Sequence, residues 1–214
     1  MEFAAFLQPE IKTYIEQLSA HNDPLLAEME AVAAERNFPI IGPVVGRFLY
    51  QTALIRKAAR IFELGSGYGY STMWFAKAVR HLGGGEIFHT DGDRRNSEQA
   101  REYFRRAGML DLVRFHVGDA IEALRQTPGP FDLIYMDIDK HQYPDAFPAI
   151  REKLPAGGVL IVDNMLWFGR VVDKNDTAAS TEGIRRFTRM LWADPEFFTT
   201  LVPLRDGFII SVRL

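Results

Sequence analysis

Three glycines at alternate positions, Gly65, Gly67 and Gly69, follow an apolar run over residues 61–64 that carries an acid at Glu63. A helix-like run, residues 70–79, comes next. Strand, glycine turn and helix start together bring backbone N–H groups to a small ligand. A phosphate cradle needs only those N–H groups, so the carboxylate just ahead of the turn argues for a ligand with a cationic part. Further apolar runs end in Asp91-Gly92-Asp93, Gly118-Asp119-Ala120, Asp137-Ile138-Asp139-Lys140 and Asp163-Asn164. Asp91 closes the second run, a place where a carboxylate accepts hydrogen bonds from both hydroxyls of a ribose. Asp137, Asp163 and Asn164 offer three oxygen ligands, a set that suits Mg2+, Mn2+ or Ca2+ and not zinc.

Each of these residues also has a plain structural reading. Asp119 reads equally well as the N-cap of the following helix. Asp163-Asn164 reads as a turn, and Lys140 as a surface lysine opening a helix. Trp167 and Phe168 read as core packing or as the wall of a site for a flat molecule. His81, His89, His116 and His141 have no spacing that makes them ligands and read as structural or exposed. The pairs Arg94-Arg95, Arg105-Arg106 and Arg185-Arg186 read as solvated helix faces.

The elements that must position these groups alternate in type. Short apolar runs predict strands over 60–64, 86–90, 113–117, 131–136, 159–162, 198–204 and 208–212. Helices are predicted between them, over 71–81, 94–107, 120–126, 144–154 and 181–192. Such alternation predicts an α/β fold, a mostly parallel sheet with helices on both faces. The last two strands are separated only by Arg205-Asp206-Gly207 and should form an antiparallel hairpin. Ahead of this pattern, Phe3, Phe6, Leu7, Ile11, Tyr14, Ile15 and Leu18 fall at helical spacing. Asp23-Pro24 reads as an N-cap with proline in the first turn, and a third helix is expected over 44–57. Residues 1–57 are therefore expected to form a helical cap, and residues 58–214 a compact core.

Composition bounds the partners. Of 214 residues, 47% are hydrophobic and 25% charged, the balance of an ordinary globular protein. A net charge of −3 gives no broad electrostatic reason to bind nucleic acid. No cysteine is present, which removes disulfides, thiolate metal sites and a cysteine nucleophile and suits a reducing cytoplasm. No signal peptide or membrane-spanning segment is expected.

The pattern Gly65-Ser-Gly67-Tyr-Gly69-Tyr lacks the third glycine of a dinucleotide fingerprint where that fingerprint needs it. With Glu63 before it and Asp91 after the next strand, it resembles class I S-adenosylmethionine-dependent methyltransferases, whose Rossmann-like seven-stranded sheet also ends in an antiparallel hairpin. The segments Asp137-Ile-Asp139-Lys140 and Asp163-Asn164-Met-Leu-Trp167-Phe-Gly169-Arg-Val171 resemble, more narrowly, the cation-dependent O-methyltransferases of the catechol and caffeoyl-coenzyme A type. That resemblance covers about residues 40–214. It implies Asp137, Asp163 and Asn164 as ligands of a divalent cation and Lys140 as the catalytic base. It implies Glu63, Gly65 and Ser71 around the methionine part of S-adenosylmethionine, Asp91 on its ribose and Ala120 near its adenine. Gly67, Asp119 and Asp137 complete the expected cofactor rim.

The chemistry suits those residue types. A phenol with a pKa of about 10 is ionised to roughly one part in a thousand at neutral pH, a deficit of about 4 kcal/mol. A divalent cation on the oxygen lowers that pKa, and a lysine in its neutral form can take the proton. Two departures stand out. Residues 40–45, Ile-Ile-Gly-Pro-Val-Val, replace a more polar segment that helps to enclose the site in plant-type members. Gly67 stands where many members carry a larger group, which is expected to open space beside the cofactor. No basic cluster near the N-terminus would meet coenzyme A phosphates. The expected activity is therefore methylation of a catechol-like or polyhydroxylated aromatic small molecule, by a homodimer. The alternative is methylation of a hydroxylated wobble uridine in tRNA, which would need the arginine pairs to form a basic surface. A non-catalytic cofactor-binding protein and a nicotinamide dehydrogenase are disfavoured, by the complete ligand set and by the glycine pattern.

Overall fold

The computed structural model describes residues 9–214. Phe3, Phe6 and Leu7 of the first expected helix lie outside the described residues. Three helices come first: α1 (Pro9–Leu18), α2 (Pro24–Arg36) and α3 (Gly42–Arg56). Asp23 caps α2 as its spacing predicts, its carboxylate accepting from the N–H groups of Leu25 and Leu26.

Strands and helices then alternate as β1 (Arg60–Leu64), α4 (Tyr70–His81), β2 (Glu86–Asp91), α5 (Arg94–Arg106), β3 (Val113–Val117), α6 (Ala120–Gln126), β4 (Leu133–Met136), α7 (Tyr143–Lys153) and β5 (Val159–Val162). Helix α8 (Ala179–Ala193) and the hairpin β6 (Phe197–Val202) and β7 (Phe208–Arg213) complete the chain. The seven strands lie in the order β3-β2-β1-β4-β5-β7-β6, parallel from β3 to β5 and antiparallel across β5–β7 and β7–β6. The expected mostly parallel sheet with a terminal hairpin is thus what forms.

Two strands are shorter than their apolar runs, for identifiable reasons. Phe131 gives its N–H to the Lys153 carbonyl, and the Asp132 side chain takes the N–H groups of Ala59 and Arg60. The Phe131 N–H thus lies outside the sheet, and β4 proper runs from Leu133, just after Asp132 has given its N–H to the Arg60 carbonyl and accepted that of Val159. Pro203 has no N–H to donate, so β6 stops at Val202 and the hairpin turn spans five residues instead of three.

Alternation along the strands divides the core. Ile61, Leu133, Tyr135 and Ile161 face α2, α3, α4 and α5, while Phe62, Ile134, Met136 and Leu160 face α6, α7 and α8. Among the described residues, no helix is long and apolar enough to cross a membrane. Register fixes what matters for chemistry. Leu64 pairs with Met136, and Met136 with Val162. Gly65, Asp137 and Asp163 therefore leave three neighbouring strands at one level.

The N-terminal helices join this core through one tight contact. A methyl group on Gly46 of α3 would lie 2.1 Å from the indole Nε1 of Trp74, a buried residue of α4. Alanine raises helix propensity by about 1 kcal/mol, but overpacking a rigid ring costs roughly 1–3 kcal/mol. Gly46→Ala is expected to lower the urea midpoint; an unchanged or higher midpoint would contradict this packing.

Candidate functional site

Between the ends of β1 and β4, where the strand order turns back, lies a cavity of about 700 Å3. This is where open α/β sheets place their ligands. Of the predicted cofactor residues, Gly65, Gly67, Ser71, Asp91, Asp119, Ala120 and Asp137 line it, and so does Lys140. Residues 38–41 line it too, so the apolar segment that departs from the plant-type pattern borders the cavity.

The glycine turn is shaped by backbone demands. Gly65 has φ +84°, and a Cβ there would lie 2.3 Å from the Asp137 carbonyl oxygen, so only glycine lets β1 and β4 end this close together. The space left by Gly67 does not stay open as the sequence suggests. Phe38 fills it, its ring 3.1 Å from where a Cβ would stand. Asp119 serves both of its readings, capping α6 through the N–H of Glu122 while lining the cavity.

Glu63 does not reach the cavity. Its side chain is fully buried beneath the turn and accepts hydrogen bonds from the hydroxyls of Ser71 and Thr72. Burial pushes its carboxyl up to about 7, against those hydroxyls, which favour the charged form. Ser71 thus lines the cavity with Glu63 holding it from behind. Thr72 and Thr90, which gives its hydroxyl to the Glu63 carbonyl and takes the Gly65 N–H, had no distinguishing sequence signal. Buried His89 holds the Gly67 carbonyl through Nε2 (3.1 Å), a structural role consistent with its lack of ligand spacing.

The second group of predicted residues gathers beside the first. Lys140 is not a solvated surface lysine: its side chain is 11% exposed, and Nζ donates to Asp137 Oδ1 (2.5 Å) and to the Ile138 carbonyl (3.1 Å). Nζ also lies over the rings of Tyr143 and Trp167. Its backbone is pinned by α8, where a Cβ at Gly183 would come within 2.3 Å of the Lys140 carbonyl oxygen. Asp163 is fully buried, and burial, with the charge of Asp137, pushes its carboxyl up to about 7. Tyr143 donates to its backbone carbonyl, and Tyr135 to its carboxylate. Asn164 sits in the left-handed region at φ +58°, with Nδ2 turned to Asp206 Oδ2 at 3.4 Å.

Among the described residues no three of histidine, cysteine, aspartate and glutamate form a ready metal cluster. The donor set here is two carboxylates and one carboxamide. The charge of Asp137 disfavours that of Asp163, and the amide nitrogen of Asn164 is turned aside to Asp206. Hard oxygen donors under mutual repulsion fit a divalent cation.

Trp167 and Phe168 flank this group in a short helical turn, Trp167–Val172. Trp167 is half-buried, whereas Phe168 is 81% exposed and is not core packing. Of the arginine pairs, Arg94, Arg95, Arg105, Arg106 and Arg186 are exposed as expected. Arg185 is not. It donates to the carbonyls of Arg170, Val171, Asp173 and Asp176, fastening the aromatic segment to α8. Asp206 does the same from the hairpin turn, accepting the Phe168 N–H at 2.6 Å. The sequence placed Asp206 in a turn without revealing that task.

A family model described as O-methyltransferase matches residues 16–214. The chain is 34% identical over 211 residues to a catechol O-methyltransferase of Niastella koreensis, covering 93% of this chain and 94% of the relative. Its fold matches an O-methyltransferase from Bacillus cereus in complex with SAH, with a TM-score of 0.87 at 30% identity over 96% of this chain and 97% of that one. It also matches TomG from Streptomyces achromogenes in complex with SAM, with a TM-score of 0.86 at 28% identity over 95% and 96% of the two chains.

The buried Glu63 makes stability depend on pH. Its pKa in the folded protein, about 7, lies above the ordinary 4.5, so the folded state holds the proton more tightly. The stabilising contribution is present below the ordinary value and is lost as pH rises from 4.5 towards about 7. Over that window the wild type is expected to lose on the order of 3 kcal/mol relative to Glu63→Gln. Urea titrations of both proteins across the window measure it; a constant difference would show that Glu63 is buried with its charge intact.

Proposed function

The chain belongs to the O-methyltransferase family and is a S-adenosylmethionine-dependent enzyme; from that premise we propose that it methylates a hydroxyl of a catechol-like or polyhydroxylated aromatic small molecule with the help of a divalent cation. The observation that carries this reading is the position of Asp137. It lines the cofactor cavity, binds Lys140 and shares an electrostatic environment with Asp163. Donor, base and cation ligands therefore meet at one residue.

In this reading Ser71, Gly65 and Gly67 hold the methionine part of the cofactor, Asp91 its ribose, and Asp119 with Ala120 the adenine side. Glu63 sets the charge and orientation beneath Ser71. Asp137, Asp163 and Asn164 would hold the cation, Mg2+ in preference to Mn2+ or Ca2+. When bound, that cation lowers the pKa of the acceptor hydroxyl. Lys140 in its neutral form takes the hydroxyl proton at Nζ. The acceptor oxygen then attacks the methyl carbon in line with the departing sulfur: the O–C bond forms, the S–C bond breaks, and the sulfonium becomes a neutral thioether. Holding both reactants in that line contributes on the order of 7–11 kcal/mol. Trp167 and Phe168 would wall the aromatic acceptor, and the apolar residues 38–41 keep water from the cofactor side.

A small acceptor is favoured over tRNA because four of the six paired arginines that would meet a nucleic acid are engaged with neighbours. Arg95 pairs with Asp93, Arg105 with Glu102, Arg106 with Glu28, and Arg185 is buried in loop contacts. A cytoplasmic homodimer is part of the same reading; Tyr14 and Leu18 of α1 are exposed apolar surface that such pairing would cover.

The test is a methyl-transfer assay with catechol and S-adenosylmethionine, with and without Mg2+. Transfer is expected only with the cation. Lys140→Ala should lower kcat by about 100- to 10,000-fold while leaving S-adenosylhomocysteine binding in place. Asp163→Ala should abolish the dependence on Mg2+ together with the activity. Cation-independent transfer, or full activity in Lys140→Ala, would overturn the mechanism.

A further inference from the structure

Among the described residues, six other than glycine adopt positive φ: Asn37, Lys57, Asn164, Trp167, Phe168 and Arg205. Asn37 and Lys57 end α2 and α3 as left-handed C-caps, an ordinary use of that conformation. The remaining four lie together on the acceptor side of the site. Main-chain bonds from Met165 to Gly207 and from Leu166 to Asp206, with the Phe168 N–H on Asp206, hold the hairpin turn against the aromatic segment. Backbone strain of this kind gathers where a side chain is needed in one particular place.

Asn164, Trp167 and Phe168 have roles in the reading above. Arg205 has none. At φ +53° a glycine would sit without strain, so an arginine there is kept for its side chain. Nη1 lies 3.6 Å from Asp163 Oδ2, too far for a hydrogen bond. The side chain is 41% exposed, and its remaining donors have no hydrogen-bond partner among the described residues. A guanidinium fork with donors to spare therefore stands beside Asp163, on the turn whose Asp206 holds the Phe168 backbone. Such a fork matches a carboxylate in geometry as well as charge.

We propose that Arg205 selects the acceptor: the hydroxylated ring carries a carboxylate, which the Arg205 guanidinium takes while the ring lies against Phe168. This rests on the reading of the site as one for hydroxylated aromatic acceptors, and it narrows that class to aromatic acids. Arg205 is a specificity residue here and takes no part in proton or methyl transfer.

Binding separates this claim from the catalytic one. Protocatechuate and caffeate, two catechol acids of different reach, are titrated calorimetrically against 4-methylcatechol, their uncharged counterpart. The protein is loaded with S-adenosylhomocysteine and Mg2+. At least one acid is expected to bind the wild type about tenfold more tightly than methylcatechol, as a charged hydrogen bond provides. In Arg205→Gly, which relieves the backbone strain, that ratio should fall to about one. In Arg205→Gln, which keeps donors without charge, it should fall in the same direction. Equal binding of acids and methylcatechol to the wild type, absence of acid binding, or an undiminished preference in Arg205→Gly would overturn the proposal. Acid binding that depends on Arg205, in a protein that transfers no methyl group to any catechol, would sink the catalytic reading and leave this one standing.

Discussion

Two strand ends approach each other more closely than any side chain allows, and the site is built around that approach. Gly65 meets the carbonyl of Asp137 with no room for a Cβ between them. The parallel register of β1 and β4 forces this, because Leu64 and Met136 are partners and the chain leaves both strands at the same level. On one side of the contact the chain turns into the glycine loop and α4. On the other it carries Asp137 and, three residues on, Lys140. The glycine loop and the lysine proposed as proton acceptor are thereby parts of one piece of backbone geometry.

Charge is distributed around this contact in layers. Glu63 lies beneath the loop, fully buried, with hydroxyls between it and the ligand. Asp137 is half-buried at the rim and held by Lys140. Asp163 is fully buried again on the next strand, with Arg205 as its nearest cation. Burial raises the carboxyl pKa of both outer members to about 7, which leaves them responsive to whatever positive charge arrives. The sulfonium of the cofactor is one such charge, and the divalent cation of the proposed mechanism would be another.

Most of the frame is written in local patterns. Short apolar runs mark all seven strands, and Asp-Gly in the last connection marks the hairpin. The acids at the strand ends are visible because each directly follows such a run. What sequence order could not show is contact between distant segments. Phe38 filling the space beside Gly67, Gly183 admitting the Lys140 backbone and Arg185 fastening the aromatic segment all join residues far apart in the chain. Arg185 has the composition of a solvated arginine, and only the carbonyls turned towards it by the irregular segment before α8 give it another task. Glu63 was legible as a site residue but not as a buried one, since its hydroxyl partners lie on the following helix.

The placement of Arg205, Asp206 and Gly207 in the β6–β7 turn has an evolutionary consequence. In the proposed reading the donor half of the site is drawn from β1 to β3, whereas the acceptor half is drawn from the segment after β5 and from this turn. Asp137 and Lys140 belong to both groups. Descendants of such a scaffold are free to exchange one acceptor for another by redrafting a few exposed loop positions, while the machinery that handles the methyl donor is inherited untouched.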